Sequence, residues 1–178
     1  MRRTKAVIAV IVFLLLSLGA YAQQKPVPID IGGDILKPHP WTVAELKQQF
    51  AKEVQAVKFT GTDKAQHTGT GIPLISLLLA SAPKAETNPK HYDLSFFVII
   101  EARDNYHVYF SLAELQPLCG NAQAWLVWDV DGKALMDKEA PLRLTVLSDK
   151  DPDRWIWGIA KITLVDGTKL AAKLSGGK

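Results

Sequence analysis

The chain has a single cysteine, Cys119, so no internal disulfide can form and no set of thiolates can gather around a soft metal. Its histidines, His39, His67, His91 and His107, are scattered without the spacing of a ligand set. No run of Lys or Arg follows residue 23, which argues against a basic face for a nucleic-acid backbone or an anionic membrane. There is no internal repeat, no low-complexity tract and no linker long enough to divide the chain. Gly61, Gly69 and Gly71 lack the strand–G-x-G-x-x-G–helix context of a dinucleotide site.

The apolar run Ala6–Ala20 is too short, and wrongly flanked, for a membrane span. Arg2, Arg3 and Lys5 precede it, and Ala20-Tyr21-Ala22 supplies the small-x-small pattern that a signal peptidase accepts. Residues 1–22 are therefore expected to be a signal peptide, and residues 23–178 a single exported domain. Thr4-Lys5-Ala6 lacks the aromatic expected after a twin-arginine pair, which favours the Sec route, and no Cys follows the cut to carry a lipid. Cleavage removes three of the 21 Lys and Arg and none of the 18 Asp and Glu, so the mature chain is formally neutral. The expected location is the periplasm or the outside, with no nucleic-acid partner and no membrane contact after cleavage.

The rest reads as short strands with a few helices. "VPIDIGG" (27–33) alternates and ends in a Gly pair, as an opening strand and turn do. Thr42, three residues before Glu45, forms a capping box for a short helix. Segments 54–62 and 66–71 flank Asp63-Lys64-Ala65 as a hairpin, and "GIPLISLLLASAP" (71–83) starts a packed helix near Pro73. "LSFFVIIEA" (94–102) is a buried strand that turns at Asp104-Asn105 into 106–110, after which Ser111 and Glu114 cap a brief helix. Segments 124–135, 141–148 and 154–167 supply the closing strands. The fold class is α+β: one strand-dominated domain with a few short helices.

Within that frame Cys119 falls at the end of the brief helix, just before Gly120. It reads as a small buried residue of a helix-to-strand corner, because neither a base nor a metal-ligand partner stands near it in sequence. Trp155 and Trp157 share a strand face, whereas Trp125 and Trp128 straddle opposite faces of another strand. Asp129 and Asp131 precede Gly132 and are turn residues first, not a glycosidase pair.

Three stretches carry a family likeness: "GIPLISLL", the "EARDNYHVYFSLAEL" strand pair with its capped helix, and "PLRL…RW". In this order and spacing the chain resembles the oxidoreductase molybdopterin-binding domain family, the sulfite-oxidase-type fold, over most of residues 27–166. The resemblance implies a molybdenum-ligating Cys near the end of the strand before "GIPL". That region is Val57-Lys58-Phe59-Thr60-Gly61-Thr62, without sulfur or nitrogen ligands, and soft thiolate ligation is not replaced by Phe or a Thr hydroxyl. The "CGN" at 119–121 comes too late in the order of elements to supply the thiolate.

The resemblance also implies a phosphate grip at Arg143, Arg154 and Trp155, bordered by His67, Arg103 and Tyr106. The loop between the two arginines has no Gly and carries Asp149, Asp151 and Asp153, which are expected to neutralise them. The expectation is therefore a non-catalytic binding or interaction module for a small anionic ligand or a protein partner. It has no catalytic residue, no metal site and no obligatory cofactor. The alternative is a molybdopterin-dependent oxidoreductase that holds its cofactor without a protein thiolate. Mass spectrometry of the exported protein is expected to show Gln23 as the first residue; an intact Met1 would remove the signal peptide.

Overall fold

A computed structural model describes residues 26–85 and 90–176. The expected signal peptide and its cleavage point lie outside the described residues. Two sheets form the body. The first has the order β1-β9-β4-β5, from strands β1 (Asp30–Gly33), β4 (Phe96–Ala102), β5 (His107–Ser111) and β9 (Ile159–Asp166). The last strand in sequence is thus an interior one, parallel to β1 and antiparallel to β4.

The second sheet is five-stranded: β2 (Gln55–Thr60), β3 (Gln66–Pro73), β6 (Ala124–Val130) and β7 (Lys133–Ala134) in that order, with β8 (Arg143–Val146) also on β6. Alternation along its strands explains why β6 reads as a continuous apolar run. Ala124, Leu126 and Trp128 turn into the main core between the sheets, while Trp125 and Val127 turn to the other face and pack with Val57. The split of Trp125 and Trp128 between faces is as the sequence implied.

Helix α1 (Val43–Gln49) begins at Thr42 in a complete capping box with Glu45 and buries Leu46. Helix α2 (Leu74–Ala80) starts directly after Pro73 and buries Leu74, Leu77 and Leu78, the i, i+3, i+4 face of an amphipathic turn. Helix α3 (Leu112–Leu115) is capped by the Ser111 hydroxyl, which accepts the Glu114 N–H at 3.0 Å. The Glu114 carboxylate turns away toward Arg154. Helix α4 (Gly167–Leu174) had no counterpart in the sequence reading; its short apolar stripe of Leu170, Ala171 and Leu174 stays exposed and buries no residue. Among the described residues no helix is long and apolar enough to cross a membrane.

Three local expectations are corrected. Cys119 is exposed, not buried, because the turn after α3 leaves the protein surface and carries Leu118 with it. Trp155 and Trp157 do not share a strand face: they precede β9, and Ile156 between them makes only an isolated bridge to Leu144. The strand 94–102 is buried on one face only, with Phe97 half exposed on the other.

Gly71 explains how β3 and β6 approach at the register shift between Thr70 and Gly71. A Cβ placed there would lie 2.1 Å from the Leu126 carbonyl oxygen, a backbone atom that cannot swing aside. Gly71→Ala is expected to lower the unfolding free energy by roughly 2–4 kcal/mol, read from urea denaturation. A variant as stable as the parent would mean that the strands can part there at no cost.

Candidate functional site

The outer face of the five-stranded sheet carries a stack of rings and one cation. Val57 and Phe59 point to it from β2, Trp125 and Val127 from β6, and Arg143 and Thr145 from β8. Gly69 on β3 leaves the gap that the rings close over: a Cβ there would meet Val127 Cγ1 at 2.8 Å and Phe59 Cε1 at 3.1 Å. The Arg143 guanidinium lies 4.9 Å from the Phe59 ring centroid and 5.4 Å from that of Trp155. The two rings meet edge to face at 5.4 Å. The Trp155 indole N–H donates to the Val146 carbonyl at 3.1 Å, which fixes the ring over the sheet.

Arg143 is only 7% exposed. Its Nε donates to the Thr145 hydroxyl at 3.3 Å, and Glu139 stands 3.6 Å from Nη1. Burial pushes the guanidinium below its ordinary value, and the Glu139 charge partly offsets this. Its packing is chiefly with ring faces, which attract a desolvated guanidinium.

Arg154 is held differently. Its Nε and Nη2 donate to the two oxygens of Asp149, at 2.8 and 2.6 Å, and its Nη1 donates to Glu114 at 2.6 Å. The Asp149 hydrogen bonds, with those from Glu114, raise its pKa against the opposing effect of burial. The expectation that the acidic loop neutralises both arginines therefore holds for Arg154 and fails for Arg143. Asp151 and Asp153 bind neither arginine, and a hydrogen bond between them raises the Asp153 pKa.

His67 sits across β2–β3 from Phe59, with ring centroids 5.7 Å apart. Its Nδ1 is 2.7 Å from Asp131 Oδ2, and its Nε2 is 3.1 Å from Asp63 Oδ2. The hydrogen bonds to Asp131, then those to Asp63, raise its pKa above the ordinary 6.5. Hydrogen bonds lower both carboxylates in turn, Asp131 chiefly through His67 and Asp63 chiefly through the Ala65 N–H. The ring thus clamps the β2–β3 turn to the β6–β7 turn. Each ring nitrogen faces a different carboxylate, so the three cannot converge on one ion, and no group of His, Cys, Asp and Glu fit for a metal occurs among the described residues.

Beside this stack opens a cleft of about 550 Å³. One wall is Lys58 to Thr62 with Lys64, and the other is Val146, Leu147, Asp149, Lys150 and Trp155. Tyr106 borders a smaller hollow of about 290 Å³ that shares Thr62, Pro152 and Trp155 with the first, and its hydroxyl donates to the Asp153 carbonyl at 2.6 Å. Arg103 lies apart, on a hollow with Val27 and Met136. The structure therefore gathers His67, Arg143 and Trp155 around Phe59 and sets Arg154 and Tyr106 at the loop's rim, but does not bring in Arg103.

Sequence reasoning missed Phe59 as the hub and Lys58, Lys64 and Lys150 as cleft cations. The Val57–Phe59 alternation marked one buried face, but nothing local showed that Arg143 would fold over it. The Asp63–His67 spacing was legible; the Asp131 contact is a tertiary event.

No protein-family model and no curated protein sequence matches the chain. Among solved structures it is similar to the sulfane dehydrogenase SoxCD from Paracoccus pantotrophus, with a TM-score of 0.57 and 16% identity over 78% of this chain and 38% of that one. The chain thus spans well under half the length of that enzyme. At this identity the likeness is one of fold alone: a strand-dominated α+β domain similar in fold to the sulfite-oxidase type.

A raised His67 pKa and lowered Asp63 and Asp131 values have opposite linkage. The imidazolium contribution is complete below about pH 6.5 and is lost as pH rises through the raised value, while the carboxylate contributions are lost as pH falls below about 3.8. The His67 ring resonance should titrate above 6.5 and return toward it in Asp131→Asn. A melting temperature that declines on the alkaline side in the parent but not in His67→Gln is the matching stability readout. A ring midpoint at or below 6.5 would remove the clamp.

Proposed function

We propose that this protein is an exported, non-catalytic binding module built on a sulfite-oxidase-type fold, which takes an anionic ligand in the cleft between β2 and the Val146–Trp155 segment. The observation that carries this reading is the state of the two arginines. A pterin phosphate would need Arg143 and Arg154 aimed into the cleft, where charge-assisted contacts hold an anion. Arg143 is instead packed between Phe59 and Trp155, and Arg154 is spent on Asp149 and Glu114. As arranged, these residues do not fit a molybdopterin phosphate grip, and the stretch 57–62 offers no soft ligand for its metal.

The cations left to the ligand are Lys58, Lys64 and Lys150, all exposed on the cleft. Asp149, the carboxylate in the same wall, already carries Arg154. The field in the cleft is therefore positive, and a carboxylate, phosphate or sulfate is the group it attracts. Export through the Sec route, which passes an unfolded chain, accords with a domain that needs no cofactor inserted beforehand.

Calorimetry is expected to show no stoichiometric uptake of molybdopterin, while sulfate or phosphate raises the melting temperature of the parent but not of a Lys58→Ala, Lys64→Ala, Lys150→Ala triple variant. Arg143→Ala is expected to cost roughly 1–3 kcal/mol through lost ring contacts, and Arg143→Met to recover much of it. Tight molybdopterin uptake that Arg143→Ala and Arg154→Ala abolish would restore the oxidoreductase.

A further inference from the structure

Five consecutive residues, Lys58 to Thr62, line the large cleft. Side chains of a strand alternate between faces, so neighbours in sequence can share one cleft only where the cleft runs along the strand's edge. β2 is such an edge, paired to β3 alone. The Gly61 N–H donates to the Ala65 carbonyl at 2.8 Å, and the register continues Thr60↔Gln66, Phe59↔His67, Lys58↔Thr68. Bonded pairs alternate in an antiparallel ladder. Phe59 and Val57 therefore turn their backbone groups to β3, while Lys58 and Thr60 turn theirs outward into the cleft. No backbone hydrogen bond from another segment engages Lys58 or Thr60 among the described residues.

We infer that this cleft binds an extended acidic peptide by strand addition along β2. The inference rests on the anion-binding reading above and names its ligand. Two outward N–H groups and two outward carbonyls, alternating along one line, are met in full by another peptide backbone, which a compact anion cannot do. The occupant's charge follows from Lys58, Lys64 and Lys150, none of which pairs with a carboxylate among the described residues. A second copy of this edge paired antiparallel about Lys58 would set lysine against lysine, which opposes self-pairing in that register. Acidic side chains at alternate positions of the added strand would share the face of Lys58, and the positions between them would lie toward Leu147, Lys150 and Trp155 on the far wall.

The probe is a short blocked peptide of alternating Glu and Val, titrated into the full protein by calorimetry and amide NMR. Saturable binding should shift the Lys58 and Thr60 amides and should disappear when Lys replaces Glu. N-methylation of alternate peptide nitrogens removes donors but no charge, and it should weaken binding about tenfold or more. Thr60→Pro removes one outward donor at a position where an edge strand tolerates proline, so it should fold, lose peptide affinity and keep its response to sulfate. Equal binding of the N-methylated and parent peptides would overturn strand addition and leave the anion cleft in place. A sulfate response without any peptide binding would do the same. Absence of both would overturn the two together.

Discussion

The buried guanidinium of Arg143 is the contact on which the outer face of the five-stranded sheet depends. It comes from β8, lies over a ring from β2 and beneath a ring from the loop after β8, and so joins β2 to a segment more than eighty residues further along the chain. A guanidinium suits this position where an ammonium would not: it is planar, weakly hydrated and able to stack on two aromatic faces. Its cost is desolvation, met only in part by Thr145 and Glu139. Gly69 is the condition for the stack, because a methyl group there would push Phe59 and Val127 apart.

Around that contact the charged groups divide by task. Arg154, Asp149 and Glu114 form a closed set that straps the loop to α3. His67, Asp63 and Asp131 form a second closed set that joins two turns. Each makes its hydrogen bonds internally but sets one cation against two carboxylates, so each keeps a net negative charge. Outside the two sets stand the Asp151–Asp153 pair and the three lysines that line the cleft, and the ligand reading follows from those lysines.

The sequence showed what is local. Capping at Thr42 and Ser111, the hairpin at 61–66, the strand pattern and the α+β class all follow from spacing within a few residues. It could not show that Glu114, a plausible capping carboxylate, would serve Arg154 instead, since that partner lies forty residues on. Cys119 was placed in the interior from its residue type, and the turn it follows runs on the surface. Trp155 and Trp157 alternate as strand residues do, yet the Pro152–Arg154 turn and the Leu144–Ile156 bridge delay the strand to Ile159. Helix α4 was missed because it buries nothing. For Arg143 the sequence points to the aspartates that follow it, whereas in the structure the Phe59 and Trp155 rings pack against it.

The interior position of β9 has a consequence for the order in which the molecule is made. Among the described strands β1 comes first in the chain, and its ladder partner β9 comes last. Until residues 159–166 have emerged, β1 has no strand to lie against, and β4 is paired on the β5 side alone. The main core shared by the two sheets therefore closes only once β9 is in place. Contacts this distant along the chain are slow to form. A chain delivered strand by strand would therefore leave this core open until β9 arrived.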